Sequence, residues 1–398
     1  MNEPVIVDAV RTPFGKRDGA FRDTHPQDLA AVPLRALEER NGFDPAIVDD
    51  VVYGCVTPKG DQGSNIGRIA PLVAGWGEEI PADAGPGASY EGRHGPPGVQ
   101  LNRMCGSGQQ AINFAAGQVA AGFQDVVVAG GVEHMTREPM GSDGGSMAET
   151  YGEHYEELVP QGESAERIAE TWGFDREHLD ELAVDSQRRW GEAWEAGRYD
   201  SQVVPVETTL DGEPITVERD GHARPGTDME TLGGLPLAFR EEGEGVVHAG
   251  NSSGIVDGAA ATLVCSREVA EANGWEPMAR IVAQEVVGVD PVMMLTGPIP
   301  ATKQLLESED LTVDDVDIFE VNEAFASVVA AWLEETGAPW ERTNVNGGAI
   351  AHGHPLGATG AALVTKLVHE LERTGAETAL STMCIGFGQG IATLIERE

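Results

Sequence analysis

The chain is predicted to be an α/β protein made of two similar halves. Three observations carry this. The first is composition: 398 residues with 51 glycines, 41% hydrophobic residues and 6% aromatics suit close-packed layers of helix and sheet better than a β-sandwich. The second is an internal repeat. Val48-Asp49-Asp50-Val51 leads into an apolar strand ending near Gly54, and Val313-Asp314-Asp315-Val316 leads into another ending near Glu320. The third is a shared pattern after each copy. An asparagine, a glycine-rich turn and an alanine-rich helix come next (Asn102 to Ala121, Asn346 to Glu370), then an apolar strand running into glycines. Strands alternating with helices imply parallel or mixed sheets covered by helices. Two copies imply two such sheets facing each other, with a site at the pseudo-twofold axis.

In chain order, the first copy offers a helix over Asp28 to Arg40, a strand over Val51 to Gly54, a strand ending near Asn102, a helix from Gln109 and a strand over Asp125 to Gly131. The stretch Glu78 to Gly98 is rich in Gly and Pro and reads as a surface loop. Residues 134–251 form a polar, acidic stretch with helices over Glu163 to Thr171 and Arg176 to Ala196, then loop-rich segments. This reads as an inserted subdomain covering the site. The second copy offers a helix over Ala301 to Glu307, a strand over Asp317 to Glu320, a long helix to Glu370 and a strand over Thr378 to Gly388. The expected division is residues 1–133 completed by 252–275, the insert 134–251, and a second half 276–398.

The net charge is −40, from 66 acidic and 26 basic residues, and Lys16, Lys59, Lys303 and Lys366 are the only lysines. The acids are dispersed. Nucleic acid and anionic membrane surfaces are therefore excluded as expected partners, since both need basic surface. A dispersed acidic surface points to a salt-accumulating host, where screening removes self-repulsion. No apolar run approaches the roughly 20 residues of a membrane span. The N-terminus has no basic region followed by an apolar stretch, so a cytoplasmic location is expected. Four cysteines make no disulfide framework and no zinc-like spacing; Cys55 and Cys265 read as buried small hydrophobes.

The chemistry gathers on two thiols and an imidazole set in glycine-rich backbone. Cys105 opens Cys105-Gly106-Ser107-Gly108 at a helix start, where the dipole is expected to lower its pKa. His354 lies in Gly353-His354-Pro355, and an imidazole beside a cysteine can withdraw its proton. His352 competes for that role, and spacing alone does not choose. Cys384, in Cys384-Ile385-Gly386, is a thiol of expected normal pKa that can move a proton. The Gly386 N–H is free to meet an oxyanion. Asn322, in Asn322-Glu323-Ala324-Phe325, can donate to a water or carbonyl.

Asn102-Arg103-Met104-Cys105-Gly106-Ser107-Gly108, Asn322-Glu323-Ala324-Phe325, Gly353-His354-Pro355 and Cys384-Ile385-Gly386 occur in one order. Together they resemble the thiolase family, and the resemblance runs from Val5-Ile6-Val7-Asp8-Ala9-Val10-Arg11-Thr12-Pro13 to the last strand. It implies duplicated βαβαβαββ halves in a five-layer αβαβα sandwich with an inserted loop subdomain. The implied activity is cleavage of 3-ketoacyl-CoA by CoA, or its condensing reverse, through an acyl-cysteine and a ping-pong sequence. Coenzyme A is then a substrate, and no metal or other cofactor is implied. By resemblance Cys105 takes the acyl group, His354 activates it, and Cys384 moves the α-proton. One oxyanion hole uses His354 with a water on Asn322; the other uses the N–H groups of Cys105 and Gly386. His352 receives no role. Arg224, Phe239 and Ser253 match CoA contacts, and Met294 and Phe325 match the acyl pocket. A homodimer or homotetramer is implied.

Leu158-Val159-Pro160-Gln161-Gly162-Glu163-Ser164-Ala165-Glu166 resembles degradative members and lacks the His-Met pair of short-chain biosynthetic ones. This favours 3-ketoacyl-CoA thiolysis (acetyl-CoA C-acyltransferase) over acetoacetyl-CoA synthesis (acetyl-CoA C-acetyltransferase) for isoprenoid or polyester precursors. A decarboxylating ketosynthase or a 3-hydroxy-3-methylglutaryl-CoA synthase would not be expected to carry both cysteines with Gly-His-Pro. A non-catalytic scaffold subunit would be expected to have lost them.

Overall fold

A computed structural model describes residues 2–77, 95–155, 157–241 and 243–398. Residues 78–94 of the expected surface loop lie outside the described residues. The first half contains β1 (Pro4–Arg11), the short β2 (Gly15–Lys16), α1 (Pro26–Asn41), β3 (Asp50–Gly54), α2 (Ile66–Ala74), β4 (Gly98–Leu101), α3 (Ser107–Ala121) and β5 (Val126–His134). The chain then forms α4 (Glu149–His154), α5 (Gln161–Trp172), α6 (Arg176–Glu195), the hairpin β6 (Val206–Leu210) and β7 (Glu213–Val217), and α7 (Met229–Gly233). It returns as β8 (Val256–Ser266) and α8 (Arg267–Asn273). The second half contains β9 (Ala279–Gly288), α9 (Pro298–Ser308), β10 (Ile318–Val321), α10 (Ala326–Thr336), α11 (Ala349–His352), α12 (Leu356–Thr374), β11 (Thr378–Ile385) and β12 (Gln389–Arg397).

Duplication is visible in the strand order. The first half runs β4-β3-β5-β8-β1 and the second β10-β11-β12-β9. In both, the central pair is parallel and the next two pairings are antiparallel. The counterpart of β4 in the second half is reduced to a single parallel bridge between Phe319 and Thr343. The repeat in the sequence implies two separate sheets. The structure also stitches them edge to edge, where Val5 and Ile6 of β1 pair with Arg280 and Ala279 of β9.

The layers follow from burial. Residues Leu356 to Leu371 of α12 are all buried, and most of α3 is as well. Helices with no polar face belong inside, and these two pack together between the sheets. Leu29, Leu34 and Leu37 of α1 cover the outer face of the first sheet. Ala301 and Leu305 of α9, with Trp332 of α10, cover the second. Every residue of β5 and β8 is buried, as strands covered on both faces require. The segment between β5 and β8 docks on the second half: Ala169, Leu179 and Ala183 pack with Ala326, Ala330 and Ile350.

With 40 more acids than bases, surface pairing cannot neutralise this chain. Screening shortens from ~10 Å at ~0.1 M salt to ~3 Å at ~1 M. The melting temperature is therefore expected to rise between ~0.1 M and ~1 M KCl, measured by circular dichroism. Identical melts at both concentrations would contradict the high-salt reading. Among the described residues no helix is long and apolar enough to cross a membrane.

Candidate active site

Cys105 and His354 stand at equivalent places in the two halves. Each lies two residues ahead of a central helix, α3 at Ser107 and α12 at Leu356. The turn before α3 is held locally: Ser107 Oγ accepts from Arg103 N at 2.9 Å and donates to Met104 O at 2.6 Å. Met104 consequently sits at φ 45°, a left-handed conformation that is costly for a non-glycine residue.

Glycines bring the two helix starts together. The carbonyl oxygen of Gly357 is approached by Gly54, Gly108 and Gly131. A Cβ at any of them would lie 2.0 to 2.8 Å from that oxygen. Glu133 locks the same point. Its carboxylate accepts Val56 N–H at 2.8 Å, Thr57 N–H at 3.1 Å, Gly357 N–H at 2.9 Å and the Gln62 amide at 3.0 Å.

The tautomer of His354 follows from its neighbours. Thr359 Oγ1 donates its single hydrogen to Pro355 O at 2.9 Å, so at 2.6 Å it accepts from His354 Nδ1. Nε2 is left with its lone pair, and the Asn322 amide donates to it at 3.3 Å. Burial holds the imidazole neutral, with its pKa lowered to about 3. Asn322 Oδ1 is buried without a hydrogen-bond partner among the described residues, and so is available to a donor on a bound molecule. His352 is also buried. Its Nδ1 donates to Gly353 O at 2.8 Å and its ring meets Phe14 edge-on.

The thiols correct two expectations. Cys105 was expected to have a lowered pKa, but burial pushes it up to about 11. The Gly386 N–H, its own N–H and the Gln161 amide oppose that shift without cancelling it. The dipole argument counted one contribution, and desolvation of the anion outweighs it. Cys384 was expected to have a normal pKa. It is raised, by burial first and by the nearness of Cys105 second. The resting site thus holds two protonated thiols and a neutral imidazole.

A cavity of about 460 Å³ opens over Cys105. Gly386, Gln161, Met294, Met104, Leu158 and Phe387 line it, together with further apolar residues. Asp143 is the one charged side chain among the described lining residues. Met294 shares a buried cluster with Phe325 and Cys384. Phe239, half-exposed, meets Phe325 edge-on at 6.1 Å and covers Gly162. Ser253 N–H donates to Ala324 O, and the next residue, Gly254, accepts the His354 N–H at 2.9 Å. Gly254 packs on the His222 ring, whose pKa is lowered to about 4 by burial, then by Arg224 and Lys16. Arg224 therefore lies outside the cavity, in a cationic group with Lys16. Neither makes an ion pair among the described residues, although acids are in large excess.

Three participants were missed in the sequence. Thr359 was findable, because five residues after His354 places it in the first turn of a helix starting at Leu356. Glu133 and Gln161 gave no local signal; tertiary packing brings them in.

Known proteins share this sequence and fold. The chain matches the thiolase N-terminal domain model over residues 4–268 and the thiolase C-terminal domain model over residues 275–397. It is 42% identical to a steroid 3-ketoacyl-CoA thiolase of Mycobacterium tuberculosis, covering 100% of this chain and 95% of that one. It is 40% identical to a 3-oxoadipyl-CoA/3-oxo-5,6-dehydrosuberyl-CoA thiolase of Escherichia coli, covering 100% of both. The acetyl-CoA acetyltransferase of Bacillus anthracis superposes with a TM-score of 0.88 at 36% identity, over 100% of this chain and 99% of that chain. Two paired helix starts carrying a thiol and an imidazole, in a chain matched along nearly its whole length, belong to the thiolase family.

Proposed function

We propose that this thiolase, an acyltransferase that cleaves 3-ketoacyl-CoA with CoA, acts on 3-ketoacyl groups with uncharged, apolar tails. The observation carrying this is the cavity over Cys105, whose described lining holds no cation and is apolar apart from Asp143 and the Gln161 amide. Each buried methylene adds about 0.8 kcal/mol of binding. A tail carboxylate would lose water, find no cation and face Asp143.

In the proposed cycle, His354 Nε2 takes the proton of Cys105 as the thiolate attacks C3 of the substrate. The N–H groups of Cys105 and Gly386 hold the resulting oxyanion. The C2–C3 bond then breaks. The enolate oxygen of the departing acetyl-CoA is held by the imidazolium and by a water on Asn322, and Cys384 protonates C2. The incoming CoA thiol gives its proton to the Cys384 thiolate and attacks the acyl-cysteine. Cys105 leaves as a thiolate and recovers its proton from His354. The balance closes on side chains and CoA alone, with no further cofactor. Raised thiols and a lowered imidazole suit this cycle, because charge develops only with substrate bound.

Met294 and Phe325 would flank the acyl group. Ser253 and Phe239 would line the pantetheine path, leading to Arg224 and Lys16 at the CoA phosphates. Unpaired cations on so acidic a surface support that end. A homo-oligomer is the proposed assembly. Among the described residues β4 pairs only with β3, and Val99 on it and Leu72 on the neighbouring α2 are exposed.

The test is kcat/KM, at ~1 M KCl, for 3-ketodecanoyl-CoA, acetoacetyl-CoA and 3-oxoadipyl-CoA. 3-Ketodecanoyl-CoA is expected to be the best substrate. The dicarboxylate is expected to fall about a hundredfold below it, from ~3 kcal/mol of unpaired desolvation. A preference for 3-oxoadipyl-CoA would overturn the charge argument. Activity confined to acetoacetyl-CoA would make this a short-chain acetyltransferase.

A further inference from the structure

One donor at the nucleophile has no part in that catalytic cycle. Gln161 is the first residue of α5, so it comes from the insert rather than from either half. Its amide nitrogen lies 3.3 Å from where a Cβ on Gly386 would stand, beside the N–H that faces Cys105. It lines the same cavity as both residues, and its amide is one of the groups that favour the charged form of the Cys105 sulfur against burial. Bonds along α5 fix this placement. Ser164 Oγ donates to Met293 O at 2.5 Å, and Ser327 Oγ donates to Ala165 O at 2.9 Å. The Glu166 carboxylate accepts Val246 N–H at 2.8 Å and Val247 N–H at 2.9 Å. The helix cannot slide without breaking contacts to both the second half and the insert.

We propose that Gln161 is a further catalytic residue, a side-chain donor to the Cys105 sulfur that joins the two backbone donors whenever that sulfur carries charge. A carboxamide suits the task. It stays neutral over the whole working range, has two N–H groups and adds no competing charge. The sulfur is anionic twice per cycle, once as it attacks C3 and once as it leaves the acyl group. Gln161 therefore acts in both half-reactions. Between them the thioester sulfur is a poor acceptor, and the same N–H is free to turn toward the acyl oxygen beside Gly386.

This inference rests on Cys105 being the nucleophile, and the experiment separates the two. Full-length protein at ~1 M KCl is treated with iodoacetamide between about pH 7 and 11, and alkylation of the Cys105 peptide is followed by mass spectrometry. Gln161→Met fills the same space without a donor, and Gln161→Glu places a carboxylate there. Both are checked for an unchanged melting temperature. In Gln161→Met, alkylation at pH 8 is expected to slow about tenfold, the loss of one hydrogen bond to a charged group, with its midpoint moved to higher pH. Gln161→Glu is expected to move the midpoint further. Thiolysis should lose kcat while KM for CoA stays within about twofold. A purely structural role would leave the alkylation profile in place, and coincident profiles for the wild type and both variants would overturn the proposal. Should the wild-type Cys105 peptide resist alkylation while Cys384 reacts, the nucleophile assignment itself falls.

Discussion

Cys384→Ala is expected to leave a protein that accepts an acetyl group on Cys105 from acetyl-CoA yet cannot turn over a 3-ketoacyl-CoA. Acylation from acetyl-CoA needs the nucleophile, the His354 base and the Cys105/Gly386 hole; the substitution removes only the proton that Cys384 offers to the departing CoA, which can leave as a thiolate. The carbon–carbon step also needs a proton at C2, and Cys384 is the proposed donor. Losing a positioned acid or base costs about 10²–10⁴ in rate, so thiolysis should fall by at least about a hundredfold. Folding should survive. Cys384 sits in a cluster with Met294, Phe325 and Val328, and removing one buried sulfur costs on the order of 1 kcal/mol. Cys105→Ala forms the contrast, because it should show neither an acetyl mass increase nor thiolysis. Intact-mass spectra after incubation with acetyl-CoA, read beside steady-state cleavage, check both. An acetylated Cys105→Ala protein would mean that another group is the nucleophile. Normal turnover by Cys384→Ala would make that thiol a bystander.

The candidate site residues were legible because the proposed chemistry needs unusual backbone. A cysteine two residues ahead of a small-residue helix, and a histidine between Gly353 and Pro355, have few structural reasons to exist. The duplication was legible because both copies of Val-Asp-Asp-Val enter the central parallel strands, now β3 and β10. Sequence patterns describe local geometry, and what escaped was not local. The sign of the Cys105 shift depends on the whole layer of protein over the thiol, so a dipole argument made from one helix reached the opposite direction. Gln161 reaches that thiol only because α5 is pinned to Met293 and Ser327, more than a hundred residues away in sequence. The second half's counterpart of β4 shrank to the bridge at Thr343, and a strand that short leaves no alternation to read. Glycines near the site were legible as permissive backbone. That Gly54, Gly108 and Gly131 all face one carbonyl of Gly357 became visible only in the packed structure.

That junction leads to a prediction at a residue that touches no substrate. Gly131→Ala is expected to lower kcat about a hundredfold in a protein that still folds with a reduced melting temperature. The new Cβ would lie 2.0 Å from Gly357 O and 2.8 Å from Gly54 O, and both obstacles are backbone atoms that cannot swing aside. Real contacts of this kind need more than 3 Å, so α12 must shift by about 1 Å at its start. Glu133 resists the shift, because it holds Gly357 N–H and the Val56–Thr57 turn on one carboxylate. Overpacking of this sort costs about 1–3 kcal/mol. The helix start also carries His354, three residues earlier, and a 1 Å misplacement at a reacting centre costs roughly a hundredfold. Gly117→Ala is the matched control. It lies on the exposed side of α3, nothing stands within 4 Å of its added Cβ, and the change should be neutral or stabilising by about 0.5–1 kcal/mol. Thermal melts and steady-state kinetics on the pair distinguish a loss of spacing from a general intolerance of side chains. If Gly131→Ala matched Gly117→Ala in both measurements, Gly131 would not be what sets the distance between the two helix starts.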